Sequence, residues 1–487
     1  MISKKSKMPN VISARNRLVQ YYLQTAEAVA HKQTFQTLDP NWSQFRAILE
    51  YVTAAGTRNI TLLSELVYAL NVYWGVRGMF PESASWCQRA AEICHDTGDR
   101  PAESNHLGNL GKTLHTLGRS QQALTYHQQA LTISRDIGDR QSEAADLGNL
   151  GQVYRDLGQA EKAIVHHQQA LLIHRDIDDR WGEGKDLGNL GLAYDDLGQA
   201  ERAISYYDQA LSIHRDLGDR RSEGIVLANL GSVYRSLGQI TNSITYFQQA
   251  LSLAQEIGDR RGEANRLANL GMSYHNLGQS EQAIEYYRQA RTISEEINDQ
   301  WGEAKLLGNL GLAYNALGQT SQAIESYQQA LDISRELGDR RSEGAILSNL
   351  GGVYRHLGQL EQSIQYSRRA LIIHRELGDR HGESADLGNL GLVYSDLGQL
   401  EQAIEQYQLA LAIVKEIGDR RKEGDLLSSL GIAYRALGQI EQAIEYYQQA
   451  LVIHHGIGDR RGQGYQFSNL GVGKDIDWDI WPMSTKL

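Results

Sequence analysis

The chain has 487 residues, a net charge of −11 and two cysteines. The acidic balance argues against nucleic acid as the main partner, because affinity for phosphate comes from lysine and arginine. Two cysteines are too few for a disulfide framework, and no apolar run approaches the roughly 18 residues that a membrane span needs, so composition predicts a cytoplasmic chain without a membrane partner.

Residues 1–60 precede the regular part of the chain and are interpreted as a helical cap or linker. Two helices are predicted there, at about Ser13–His31 and Asp39–Ala55. The first 20 residues carry five basic side chains and no acidic one, which indicates a solvated tail.

A block of 40 residues then recurs without insertion or deletion from Leu107 to about Leu470, after a degenerate copy within residues 61–106. A period of this length predicts stacked helix-turn-helix units, none of which can bury its apolar face alone. No proline occurs between Pro101 and Pro482, which fits continuous helices and short turns. We expect an all-α solenoid of about ten repeats, with the tandem array at 107–459.

Each block is expected to hold two antiparallel helices. In one block, the apolar spacing predicts a first helix at Asp139–Leu157 and a second helix at Ala160–Ile177. Gly158, which recurs every 40 residues, is expected to end the first helix in a left-handed conformation.

The residue types found at one position of the turn between blocks indicate a backbone conformation with positive φ. Most copies have glycine there, but Asp178 and Asn298 replace it in two, and these residue types tolerate positive φ. The following Asp139 is predicted to cap the next helix. Arg140 and Glu143 then lie one turn apart, where a pair contributes only a few tenths of a kcal/mol.

Residues 460–487 begin as a further first helix, Arg460–Leu470, and continue as an irregular tail. Lys474 stands where the repeat has tyrosine. Two interpretations stay open. The helix covers the apolar end of the solenoid, as terminal repeats do, or the gene end is truncated or altered in frame.

The packing positions of the block resemble those of a known family. Counting Leu147 as position 4, large, small and aromatic residues follow as Leu150 at 7, Gly151 at 8, Tyr154 at 11, Ala163 at 20, His167 at 24 and Ala170 at 27. This spacing resembles the tetratricopeptide repeat. The resemblance implies a right-handed α–α superhelix whose concave groove binds proteins. The longer period resembles the Pins/LGN spindle adaptors and the arrays of bacterial STAND-type signalling proteins.

Position 6 is asparagine in nearly every block and points away from the predicted core. The residues are Asn109, Asn149, Asn189, Asn229, Asn269, Asn309, Asn349 and Asn389. Recent duplication is one explanation, but neighbouring outward positions have diverged. The other explanation is a shared task, since an amide both donates and accepts and suits the backbone of an extended peptide.

Position 12, at the predicted groove wall, holds Arg155, Arg235, Arg355 and Arg435. Arginine pairs well with carboxylates, which favours acidic side chains on the ligand. The alternative is that these arginines are solvated helix-surface residues.

Other candidate signals are weak. No histidine pair has metal-binding spacing, no cofactor motif is present, and no catalytic constellation is found, so we expect neither metal, cofactor nor enzyme activity. Trp181 and Trp301 are interpreted as packing between repeats.

The favoured function is a scaffold that binds an extended peptide or protein segment. The alternative is the sensor lobe of a STAND-type NTPase or protease switch, which an effector domain encoded upstream would support.

Overall fold

The computed structural model describes residues 42–53 and 60–471, together with Tyr21 and Gln24. Within those residues the chain forms helices joined by short turns, and no strand occurs there. The expected helix at about Ser13–His31 falls almost wholly outside the described residues, and so does the tail after Gly471. The second expected N-terminal helix contains the observed helix Trp42–Thr53.

The described part of the chain contains 22 helices, named α1 to α22 in chain order. Their bounds are Trp42–Thr53, Ile60–Val76, Phe80–Thr97, Arg100–Thr116, Ser120–Ile137, Arg140–Asp156, Ala160–Asp176, Arg180–Asp196, Ala200–Asp216, Arg220–Ser236, Ile240–Glu256, Arg260–Asn276, Ser280–Glu296, Gln300–Ala316, Thr320–Glu336, Arg340–His356, Leu360–Leu377, Arg380–Asp396, Leu400–Ile417, Arg420–Ala436, Ile440–Gly456 and Arg460–Leu470. From α4 to α21, each first helix of a repeat is followed by a second helix of similar length.

The chain divides into two compact units, Met1–Tyr246 and Phe247–Leu487. In the first unit, buried Phe45, Leu49 and Trp74 pack with residues of the following helices. In the second unit, Leu310 and Tyr327 belong to a core of Leu, Tyr and Ala from successive helices. Within each unit consecutive helices pack against one another. The expected all-α solenoid of helix pairs is therefore confirmed.

The turn residues behave as their types predict. The side chain of Asp139 accepts a hydrogen bond from the backbone nitrogen of Ser142 at 3.0 Å and so caps α6. Gly158 has a φ of 72°, while Asp178 and Asn298 have φ values of 56° and 53°. Both predictions, the aspartate caps and the left-handed turn positions, are confirmed.

Close approach of the two helices in a repeat depends on the glycine at position 8. A Cβ atom added to Gly151 would lie 2.6 Å from the His167 ring, and one added to Gly191 would lie 2.6 Å from Tyr207. The aromatic residue at position 24 thus occupies the space that the glycine leaves. This small–large pairing explains why the two positions recur together.

The two cysteines are free and buried. Burial raises the pKa of the Cys87 thiol to about 12 and that of Cys94 to about 11, so both remain protonated at neutral pH. None of the described helices is long and apolar enough to span a bilayer.

Candidate functional site

Positions 2, 6, 9 and 13 of the first helices form a surface that we call the first-helix face. On α6 these positions are Ala145, Asn149, Gln152 and Asp156, and all four are partly or fully exposed. Leu147, between them in sequence, is 1% exposed. The helical period therefore separates a buried stripe from an exposed one on the same helix.

The asparagine column lies on this face. Seven of its eight members are half-buried and Asn349 is exposed. Within the part of the chain that the structure describes, five of the side-chain amides make no hydrogen bond: those of Asn109, Asn149, Asn189, Asn229 and Asn349. Internal hydrogen bonding therefore does not account for these five.

The other three members of the column differ. Asn269 already makes an interaction within the chain. The Asn389 Nδ2 atom donates a hydrogen bond to Ser348 Oγ of the preceding repeat at 3.4 Å. The Nδ2 atom of Asn309 is buried and has no partner among the described residues. Because an unpaired buried donor is costly, this amide would gain from an acceptor that a ligand supplies or from rotation toward the surface.

The arginines of position 12 are not all available to a ligand. Arg155 lies 3.7 Å from the carboxylate of Asp196, and Arg355 Nη1 donates a hydrogen bond to Asp396 at 3.0 Å. Each acid belongs to the following repeat. Arg235 is half-buried. Arg435 is exposed and makes no ion pair with the described residues.

The sequence contains a pattern that could have predicted the ion pairs of Arg155 and Arg355. An aspartate stands at position 13 of the next repeat in both cases, and His115 likewise contacts Asp156, with 2.9 Å between Nε2 and Oδ2. The prediction that position 12 recognises acidic ligand groups therefore stays a prediction, and Arg435 is the member whose charge is not already paired.

A row of arginine–glutamate contacts connects neighbouring repeats. Buried Glu143 accepts hydrogen bonds from Arg135 Nε at 2.9 Å and from Arg140 Nη1 at 2.6 Å. Burial opposes ionisation, but the two arginines outweigh it and hold the pKa of Glu143 below its usual value. The arrangement recurs at Glu183, Glu223, Glu343 and Glu383.

The expected pairing of Arg140 with Glu143 is confirmed. A contribution of a few tenths of a kcal/mol applies to an exposed pair on one helix. Glu143 is only 7% exposed and also binds Arg135 from the preceding helix. The contact is thus a link between repeats rather than a surface pair on one helix.

The interpretation of Trp181 and Trp301 as packing between repeats requires correction. Their side chains are 53% and 61% exposed. The indole nitrogen of Trp181 donates a hydrogen bond to Asp219 of the next repeat at 3.1 Å. Both rings therefore remain largely open to solvent.

Stacked aromatic pairs join the two helices of several repeats, a feature that the sequence interpretation missed. The rings of Tyr194 and Tyr206 are stacked with centroids 5.2 Å apart. Equivalent pairs occur at Tyr234–Tyr246, Tyr274–Tyr286, Tyr354–Tyr366 and Tyr434–Tyr446. The 12-residue spacing of these tyrosines could have indicated the contact.

Several histidines form core contacts. His174 Nδ1 lies 2.7 Å from Asp186, and His374 Nδ1 lies 2.6 Å from Asp386, with both partners buried. Among the described residues, no group of histidine, cysteine and acidic side chains has an arrangement suited to a metal ion.

Comparison with known proteins assigns the family. The tetratricopeptide repeat profile matches residues 71–136, 142–216, 222–296, 266–336, 302–371, 342–416 and 387–454. These matches cover more than half of the chain, so the chain belongs to the tetratricopeptide repeat family. The fold of this family is typically a non-catalytic scaffold for protein interactions. No curated protein matches the chain.

Part or most of the chain is similar to several solved structures. BtubC from P. vanneervenii is 22% identical over 45% of this chain and 90% of its own, with a TM-score of 0.39. Aspartyl phosphate phosphatase F from Bacillus subtilis is 15% identical over 82% and 95%, with a TM-score of 0.47. A STAND protein with a tetratricopeptide repeat sensor from Pyrococcus horikoshii is 19% identical over 64% and 52%, with a TM-score of 0.44.

Proposed function

We propose that this protein is a non-enzymatic scaffold that binds an extended peptide or protein segment on its first-helix face through the asparagine column. The observation that carries the proposal is the set of five amides without an internal hydrogen bond. Asparagine is unfavourable inside a helix, so its recurrence at an outward position needs a reason other than folding. A ligand backbone supplies both the donors and the acceptors that an amide can use.

Acidic side chains on the ligand are part of the proposal. Arg435 offers an exposed guanidinium with no ion pair among the described residues. At Arg155 and Arg355 a ligand carboxylate would have to compete with Asp196 and Asp396. We therefore expect Arg435→Gln to weaken capture of an acidic ligand more than Arg155→Gln or Arg355→Gln does.

The test removes three of these five amides at once, in the variant Asn109→Ala, Asn149→Ala and Asn229→Ala. Proteins captured from a lysate by the wild type are compared with those captured by the variant, and circular dichroism checks the helices. The matched control, Gln169→Ala, Gln249→Ala and Gln329→Ala, removes three exposed amides from second helices. Loss of capture in the asparagine variant alone supports the proposal, whereas retained capture with an intact helical spectrum refutes it.

A further inference from the structure

Two first helices carry a signature that the other first helices lack. Helix α8 has Trp181, Lys185, Gly188 and Leu192, and helix α14 has Trp301, Lys305, Gly308 and Leu312 at the same positions. The spacings of four, three and four residues place each set along one helix face. No other described first helix combines tryptophan and lysine at these two positions. The two helices lie three repeats apart, one in each compact unit.

The tryptophan rings are largely exposed, with 53% for Trp181 and 61% for Trp301. Trp181 is held by its hydrogen bond to Asp219, and the Lys185 Nζ atom lies 5.8 Å from the centre of its ring. Trp301 has the same place on α14 and is more exposed still. Exposed tryptophan is rare on a solvated surface and common at binding sites, where it supplies a large contact area.

The glycines have no packing reason inside the chain. A Cβ atom added to Gly188 or Gly308 would meet no atom within 4 Å. By contrast, one added to Gly108 would lie 3.3 Å from the carboxylate of Asp146 in the next repeat. Glycine within a helix costs about 1 kcal/mol relative to alanine. Its use at Gly188 and Gly308 therefore fits close approach of another backbone to the helix.

The remaining two members of each set add charge and apolar surface. Lys185 and Lys305 are exposed and form no ion pair with the described residues. Leu312 is 43% exposed and Leu192 is half-buried. Each set thus presents an aromatic ring, an aliphatic side chain and an unpaired cation on one face, with a side-chain-free gap at the glycine between them.

We propose that α8 and α14 form two equivalent docking sites, the Trp181 site and the Trp301 site, for an extended peptide segment with one bulky apolar side chain next to a carboxylate. The apolar side chain lies against the tryptophan, the neighbouring carboxylate pairs with the lysine one turn further along the helix, and the ligand backbone continues over the glycine toward the leucine. The lysine charge complements a carboxylate and disfavours a basic ligand. The inference rests on the proposed function and specifies its ligand. One chain then binds two such segments.

The experiment uses a displayed library of random dodecapeptides selected on the full chain. We expect the enriched peptides to contain a large apolar residue within two positions of aspartate or glutamate. A synthetic enriched peptide without tryptophan is then titrated by calorimetry and by protein tryptophan fluorescence. Two sites per chain are expected, with one site in Trp181→Ala or Trp301→Ala and a loss of affinity of about tenfold or more in the double variant.

Three further variants test the lysines, the glycines and the specificity of the signature. Lys185→Gln with Lys305→Gln is expected to weaken binding and to remove most of its salt dependence. Gly188→Ala with Gly308→Ala is expected to weaken binding while leaving the protein folded. The matched control, Gln141→Ala, changes the position of Trp181 on α6, which lacks the signature, and is expected to leave binding unchanged.

Several results would overturn the inference. The inference is wrong if the enriched peptides lack acidic residues. It is also wrong if these peptides bind the double tryptophan variant as tightly as the wild type. If such peptides still need the asparagine column, the docking sites are refuted and the proposed function stands. If binding needs the tryptophans but survives the triple asparagine variant, the docking sites stand and the asparagine column is not the binding element. A selection that enriches no peptide refutes both.

Discussion

Replacing Glu143 by glutamine tests how strongly the arginine–glutamate row holds neighbouring repeats together. The change keeps the shape of the side chain but removes the charge that binds Arg135 and Arg140. Hydrogen bonds to charged groups contribute about 1.5–3 kcal/mol each. Both arginines are about half exposed, with side-chain values of 49% and 47%, so solvent screening reduces the sum. We expect the free energy of unfolding of this repeat to fall by about 2 kcal/mol.

Hydrogen exchange of the native protein is the appropriate assay, because repeat arrays do not always unfold in one step. Protection should fall mainly in α5 and α6, which contribute Arg135 and Glu143. The matched control is Glu161→Gln on α7, an exposed glutamate with no ion pair among the described residues. A loss of less than about 0.5 kcal/mol, or an equal loss in the control, would show that the row is a solvated surface feature.

The difference in stability between the wild type and Glu143→Gln should change with pH in one direction. The folded-state pKa of Glu143 lies below its value in the unfolded chain. Its contribution is therefore fully present above the unfolded pKa of about 4.3 and is lost as the pH falls through the folded pKa. The stabilities of the wild type and of Glu143→Gln should converge in acid, and a gap that widens there would contradict the reasoning.

The remaining predictions concern single positions. Gly308→Ala should raise the free energy of unfolding by about 1 kcal/mol, because alanine favours the helix and its Cβ meets no atom within 4 Å. Gly311→Ala should lower the free energy of unfolding by about 1–3 kcal/mol, because the new Cβ would lie 2.6 Å from Tyr327. Urea denaturation that gives both variants a change of the same sign would refute this reasoning. Asp339→Ala should cost about 1 kcal/mol through the lost helix cap, measured as faster exchange in the first turn of α16. Burial, with Lys112 and His115 nearby, lowers the pKa of His127 to about 3. Its imidazole should therefore stay neutral at pH 5 by NMR, and the stability it confers should fall as the pH drops below about 6.5, where the unfolded chain takes up the proton.

Local features of this protein were predictable because they depend on a few neighbouring residues. The aspartate caps, the glycine that ends each first helix and the positive φ of Asp178 and Asn298 all depend on backbone conformation within one turn. The 3.6-residue period also placed the asparagine column outside the buried stripe of each first helix, and in the structure its members are half-buried or exposed. What that column binds stays a proposal, because nothing local identifies a ligand.

Contacts between repeats were harder to predict. The sequence suggested four comparable arginines at position 12, yet Arg155 and Arg355 are paired with acids 41 residues away. Glu143 looked like half of an exposed pair, and only packing revealed its burial and its second arginine. Such contacts depend on how one repeat packs against the next. The helical periodicity within a repeat gives no information about which residues of neighbouring repeats come together.

The sequence by itself determined the 40-residue period, the two helices of each repeat, the residues that end them and the direction in which each side chain leaves its helix. Only the tertiary structure decided which outward side chains are already paired and which are open. It showed Trp181 and Trp301 largely exposed and left the space beside Gly188 and Gly308 empty. The physical reason is that helix propensity and period are short-range properties, whereas exposure depends on neighbours that the chain supplies from distant positions.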